Sequence, residues 1–122
     1  YCATLGARMA AFQADWDLVL QPVTCNPPLP LGRINAQPGD TVDSFVERFK
    51  RAYSPYTHLY NMTGQPAASV PVSRDADGLP LAAMLAGRNG EDALLFAVCA
   101  EIERARPWFD WRPPVSAFGA PA

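Results

Sequence analysis

Proline limits what this chain can fold into. Thirteen of the 122 residues are proline, and most of them gather at positions 22–38 and 107–121. Each one fixes φ and removes a backbone donor, so both stretches are closed to regular helix and to the interior of a sheet. Irregular segments of that length seldom stand alone in a compact domain. They predict chain wrapped over the surface of a larger body.

Regular structure must come from what lies between. Residues 2–14 are rich in Ala, Leu, Met and Phe with Gly6 as the only breaker, which predicts a helix. The run Asp17-Leu18-Val19-Leu20-Gln21-Pro22-Val23 is short, apolar and bounded by Asp and Pro. It suits a strand buried on both faces in a parallel or mixed sheet. Residues 24–39, with four prolines, two glycines and two asparagines, read as a loop. Residues 40–53 form an amphipathic helix with Asp40 as its cap and Val42, Phe45, Val46, Phe49 and Tyr53 on one face. Residues 56–63 suit a helical turn ended by Gly64.

A hairpin follows, with arms 67–73 and 79–87 around Asp75-Ala76-Asp77-Gly78. Pro71 and Pro80 interrupt its ladder, which places them at edges, strand starts or bulges. Asp75 and Asp77 serve the turn rather than a calcium loop, whose later ligands are missing. Residues 90–106 form the last helix, starting at Asn89 or Gly90, with Leu94, Leu95, Val98 and Ile102 as its buried stripe and Arg104 and Arg106 in its last turn. The aromatic tail 107–114 is expected to pack as a surface strap. This order implies an α/β fold with a mixed β-sheet flanked by helices, one hairpin and about three helices. Residues 1–122 form one segment with no internal boundary.

A composition of 49% hydrophobic and 18% charged residues argues against wholesale disorder. A net charge of −2, with cations scattered apart from Arg48-Phe49-Lys50-Arg51, argues against nucleic-acid and anionic-membrane partners. No apolar run approaches the roughly 20 residues of a membrane span. Cys2, Cys25 and Cys99 are widely spaced and His58 is the lone histidine, so no metal site is expected. Reduced thiols point to a cytoplasmic location. Because the chain opens at Tyr1 on what reads as the later part of a helix, a fragment or processed chain is expected.

The residues offer no catalytic array. None of Ser44, Ser54, Ser69, Ser73 and Ser116 lies in a Gly-x-Ser-x-Gly elbow or a glycine-rich loop. His58 has no evident carboxylate to orient it and reads as structural or pocket-lining. Lys50, the only lysine, is expected on the solvated face of its helix beside Arg51, where nothing lowers its pKa. Glu101 and Glu103 fall on different helix faces and cannot pair. No phosphate loop or dinucleotide fingerprint is present.

Resemblance adds what periodicity cannot. The block Asn61-Met62-Thr63-Gly64-Gln65-Pro66-Ala67-Ala68-Ser69-Val70-Pro71-Val72 resembles the C-terminal block of the amidase signature family, Asn-Leu-Thr-Gly-x-Pro-Ala-x-Ser-x-Pro. Asp77-Gly78-Leu79-Pro80-Leu81 follows at the family's distance, then Gly87-Arg88 and Asp92-Ala93-Leu94-Leu95, then Glu103 and Pro107-Trp108. Upstream, Asp17 to Thr24 is similar to the strand Asp-x-Leu-x-x-Pro-Thr. Ala82 departs from a usual glycine and Met84 from a frequent Gln. Alanine is tolerated there if φ stays negative.

The resemblance implies the C-terminal portion of an amidase that hydrolyses carboxamide C–N bonds through a Ser–cis-Ser–Lys triad. It implies no metal and no organic cofactor. The triad would lie in blocks before those matched, so no catalytic residue is assigned in this chain, which alone is expected to be inactive. Thr24, Cys25, Tyr56, Thr57, Tyr60 and Asn61 are the expected lining of the substrate pocket, with Asn61 expected as a buried amide. The expected partners are a small-molecule amide, the N-terminal remainder of the amidase, and a second copy as homodimer. The alternatives are a non-catalytic interaction chain that keeps this lobe and an amidotransferase-type subunit.

Overall fold

The computed structural model describes residues 1–113 and 115. Four helices and three strands follow in the order α1 (Cys2–Phe12), β1 (Leu18–Pro22), α2 (Val42–Ala52), α3 (Thr57–Thr63), β2 (Ala67–Arg74), β3 (Pro80–Gly87) and α4 (Asp92–Ala105). The expected count of about three helices rises to four because residues 57–63 complete a short helix rather than a single turn. Gly64, at φ 74°, ends it in the left-handed region.

The strands form one sheet in the order β1-β3-β2. β3 is central, and side chains alternate across it. Met84 and Ala86 join Tyr60 in one buried cluster with Met9 and Leu59 against it, so α1 and α3 cover that face. Leu85 joins Val70 and Leu95 in a second cluster with Val98 and Ile102, which places α4 on the other face. The result is helix, sheet, helix in three layers.

Two expectations about β1 change. It pairs antiparallel with β3, Leu18 opposite Gly87 through Pro22 opposite Ala83, and all the strand pairs here are antiparallel. It also lies at an edge, and Leu20 remains 69% exposed. Leu18 is covered at the rim of the second cluster, whereas nothing described here reaches Leu20. The apolar run reports burial on both faces only if further strands or helices lie beside it.

The hairpin matches its turn chemistry. Gly78 has φ 80°, and the Asp75 carboxylate accepts from the amides of Asp77 (3.0 Å) and Leu79 (2.8 Å). The ladder slips between Pro71 and Ser73, where proline has no donor to give, and Pro80 opens β3. Ala82 keeps a negative φ, so the departure from glycine costs the backbone nothing.

α2 starts one residue later than expected. Thr41, not Asp40, is the cap: its hydroxyl accepts from the Ser44 amide while the Ser44 hydroxyl accepts from the Thr41 amide. Asp40 is engaged elsewhere, accepting from Arg48 at 2.7 and 2.5 Å and from the Gln37 amide. The Arg48 hydrogen bonds hold its carboxyl well below the usual carboxylate range and push the guanidinium further up. α4 is capped by Glu91 without a side-chain bond, following Gly90 at φ 83°. In the tail, Arg74 lies 4.7 Å over the Trp111 ring, which ties the strap to β2. Pro114 and residues 116–122, including Ser116, lie outside the described residues.

Candidate functional site

Three concavities open around the end of β1, α3 and α2. The first, of about 400 Å³, is walled by Val23, Thr24, Cys25, Tyr53, Pro80 and Leu81. Its shape depends on the proline-rich loop being pinned to the end of α2. The Cys25 amide donates to the Tyr53 carbonyl (2.9 Å) and the Asn26 side chain to the Ala52 carbonyl (2.6 Å). The Thr24 hydroxyl is turned back to the Asn26 carbonyl at 2.8 Å, while the Cys25 thiol is exposed.

The second concavity, of about 290 Å³, is lined by Val23, Thr57, Tyr60, Asn61, Ser69 and Met84, among others. Tyr60 is buried, and its phenol accepts from the Gln21 amide at 2.9 Å, which joins α3 to β1. Burial pushes the Tyr60 phenol up from its ordinary pKa. The third, of about 190 Å³, is a groove between α2 and α3 with Phe45, Val46, Phe49, Lys50, Thr57 and His58 on its walls. The Thr57 hydroxyl lies 2.7 Å from that of Ser54.

The six expected pocket residues therefore divide. Thr24 and Cys25 are in the first concavity, and Thr57, Tyr60 and Asn61 in the second. Tyr56 instead packs against the Tyr60–Met84–Ala86 cluster. Asn61 is exposed, contrary to the buried amide expected there, because the helix turns it about 100° away from buried Tyr60 along the wall of the concavity they share.

The buried amides are Gln13, fully inaccessible, and Gln65. Gln65 donates to the Gln13 side chain and to the Gly87 carbonyl (3.0 Å), and Gln13 donates to the Ala86 carbonyl (3.3 Å). The Thr63 hydroxyl completes the set at 3.1 Å from Gln65. This network locks α1, the α3–β2 turn and β3 together, as buried polar groups must find partners. Gln65 occupies the variable position of the resembling block, which hid it. The signal available was its place, directly after the helix-ending Gly64 and just before β2, where the chain turns onto the sheet.

Lys50 also departs from expectation. It follows Val46 by one helical turn, so it flanks the apolar stripe and borders the groove instead of opposing it. Its ammonium lies 3.8 Å from Glu47. Three serine hydroxyls have structural employment: Ser44 in the α2 cap, Ser54 with Thr57, and Ser73 with the Arg74 carbonyl. Among the described residues no group of three His, Cys, Asp or Glu side chains could hold a metal ion. No described helix is long and apolar enough to cross a membrane.

Comparison with known proteins gives this arrangement a context. The putative amidase AmiB2 of Mycobacterium tuberculosis is 39% identical over 112 residues, 92% of this chain and 23% of that protein. The 6-aminohexanoate-cyclic-dimer hydrolase of Paenarthrobacter ureafaciens is 29% identical over 105 residues, 84% of this chain and 21% of its own length. A solved structure of a 6-aminohexanoate cyclic dimer hydrolase superposes with a TM-score of 0.82 at 25% identity, covering 92% of this chain and 24% of that one. A bacterial aryl acylamidase of the amidase signature enzymes gives a TM-score of 0.66 at 27% identity, covering 92% of this chain and 24% of that chain. This chain thus spans about a quarter of the length of its relatives. The Amidase family profile matches residues 4–96, and with these likenesses it shows that the chain belongs to the amidase signature family.

Proposed function

We propose that this chain is part of an amidase that hydrolyses the C–N bond of a small carboxamide, and that it supplies scaffold and one wall of the substrate pocket. The family match over residues 4–96 carries the reading. It is supported by the concavities that bring Thr24, Cys25, Thr57, Tyr60 and Asn61 around Val23. The Ser–cis-Ser–Lys triad then belongs to the part of the amidase outside these residues, which is this chain's first partner. Here Ser44 serves the α2 cap, Ser54 pairs with Thr57 and Ser73 bonds the Arg74 carbonyl instead.

The test has two arms. The coding sequence upstream of Tyr1 is expected to contain a Lys followed, tens of residues later, by a serine-rich glycine loop. The whole enzyme is expected to release amine from simple anilides, while the 122-residue chain alone releases none. An upstream sequence without that loop, or turnover by the isolated chain, would overturn the proposal.

A further inference from the structure

The three strands present one row of side chains to α3. Gln21 on β1 lies opposite Met84 on β3, and Met84 lies opposite Ser69 on β2. Residues directly opposite each other in an antiparallel pair point to the same face, so all three rise on the side that Tyr60 covers. On α3, Thr57, Tyr60 and Asn61 are spaced i, i+3 and i+4 and line one side of the helix. The second concavity, of about 290 Å³, lies between this helix face and the row.

Its lining contains no Asp, Glu, Lys or Arg, so an ionised group entering it would lose water without meeting a counterion. Its polar groups differ in what they already bond. Thr57 is paired with Ser54, and the Gln65 amide is fully engaged by Gln13, Gly87 and Thr63. The Tyr60 side chain is buried, with the residue 4% exposed, and its oxygen accepts from the Gln21 amide at 2.9 Å. Among the described residues no other polar atom bonds that oxygen, so the phenolic proton has no acceptor. The Ser69 and Asn61 side chains make no hydrogen bond among the described residues either. A phenol donates while it accepts, and the bond from Gln21 polarises it into a better donor. Burial holds the phenol protonated, so this donor persists across neutral pH.

We propose that the second concavity receives an uncharged hydrogen-bond acceptor carried on the acyl chain of the amide substrate, with the Tyr60 hydroxyl donating to it and Ser69 and Asn61 flanking it. The ligand's identity rests on the amidase reading. A keto, ether or amide oxygen meets the free donor, whereas a plain hydrocarbon chain leaves it unmade and a carboxylate finds no cation in the lining.

The experiment uses the whole enzyme. In steady-state kinetics hexananilide is compared with 4-oxohexananilide and 5-oxohexananilide. The better ketone is expected to have a KM about ten-fold below that of hexananilide, the scale of one buried hydrogen bond. Tyr60→Phe keeps the ring and removes the donor, so it should raise the ketone KM to that of hexananilide and leave hexananilide itself unchanged. Gln21→Glu should have the same effect, because a carboxylate accepts the phenolic proton and withholds it from the ligand. A packing role for Tyr60 would instead raise KM for all three anilides alike. Titration calorimetry with the two oxohexanamides against hexanamide reads the same preference without turnover. Equal constants for hexananilide and both ketones, or a ketone preference that survives Tyr60→Phe, overturns the proposal. An enzyme that cleaves none of the anilides removes the amidase reading. The calorimetry then decides the acceptor site by itself: a preference lost in Tyr60→Phe keeps it, and no preference sinks it.

Discussion

Gln65 and Asn61 lie four residues apart, and the fold treats them in opposite ways. Gln65 is buried among Gln13, Gly87 and Thr63, so its removal strands polar groups that water cannot reach. Gln65→Ala is expected to lower stability by about 2–3 kcal/mol, the cost of leaving buried partners unmade. Asn61→Ala, at an exposed position, should stay within about 0.5 kcal/mol. Urea midpoints at unchanged slope measure both, and equal losses would mean the network is not holding the layers together. Tyr60 adds a pH dependence of definite sign. Burial raises its folded pKa, so the native state keeps the phenolic proton longer than the unfolded chain does. The associated stability is present below the ordinary tyrosine value near 10 and is lost as pH rises through the folded value. Tyr60→Phe should flatten the alkaline decline in urea midpoints between about pH 9 and 11. Asp40 works in the other direction. Its carboxyl is held low by Arg48, so its contribution is present above the unfolded carboxylate range and is lost as pH falls towards the folded value. A carboxyl NMR titration should find Asp40 still ionised at a pH where an aspartate in a model peptide is half protonated.

At the scale of elements, each piece of the fold ends for a local reason. The hairpin turns on Gly78 at φ 80°, with the Asp75 carboxylate bridging two amides. Gly78→Ala is expected to cost about 1–2 kcal/mol, the penalty of a Cβ in the left-handed region. Loss of the cross-strand amide protection of β2 and β3 in hydrogen exchange would accompany it. α2 begins where Thr41 and Ser44 exchange hydrogen bonds, and Thr41→Ala should lose about 1 kcal/mol of helix stability. α4 depends on its stripe instead. Leu95 is fully packed between the sheet and its own helix, so it carries the second cluster.

The whole molecule is short of cover. Among the described residues the buried apolar core is Tyr60, Val70, Met84, Leu85, Ala86 and Leu95, while Leu20, Val42 and Phe96 are among the large apolar side chains left exposed. The outer edge of β1 and, on α2, Val42 and Val46 face outwards, uncovered by any described residue. The 122-residue chain alone is therefore expected to bind a hydrophobic dye strongly and to self-associate with concentration in sedimentation. Dye binding no greater than that of a compact globule would show that these surfaces are covered within the chain.

Much of this was legible because it is local. Gly64, Gly78 and the prolines at 71 and 80 announce a helix end, a turn, a bulge and a strand start, and each feature is decided within a few residues. The α4 stripe and the family blocks were legible for the same reason, since period and order along the chain carry them. Residue identity could not say which polar group would be buried. Gln65 rather than Asn61 entered the core because the α3–β2 connection carries Gln65 onto β3 while α3 leaves Asn61 exposed, and because Gln13 arrives from fifty-two residues away to meet it. Nor could a strand's apolar run reveal its neighbours: β1 found β3 antiparallel and then an open edge. Sequence by itself determined most of the elements, the turn and breaker residues near their ends, and the family. Tertiary structure alone decided the pairing of strands, the buried amide network and which distant residues line each concavity, because those depend on contacts between distant segments that no local preference encodes.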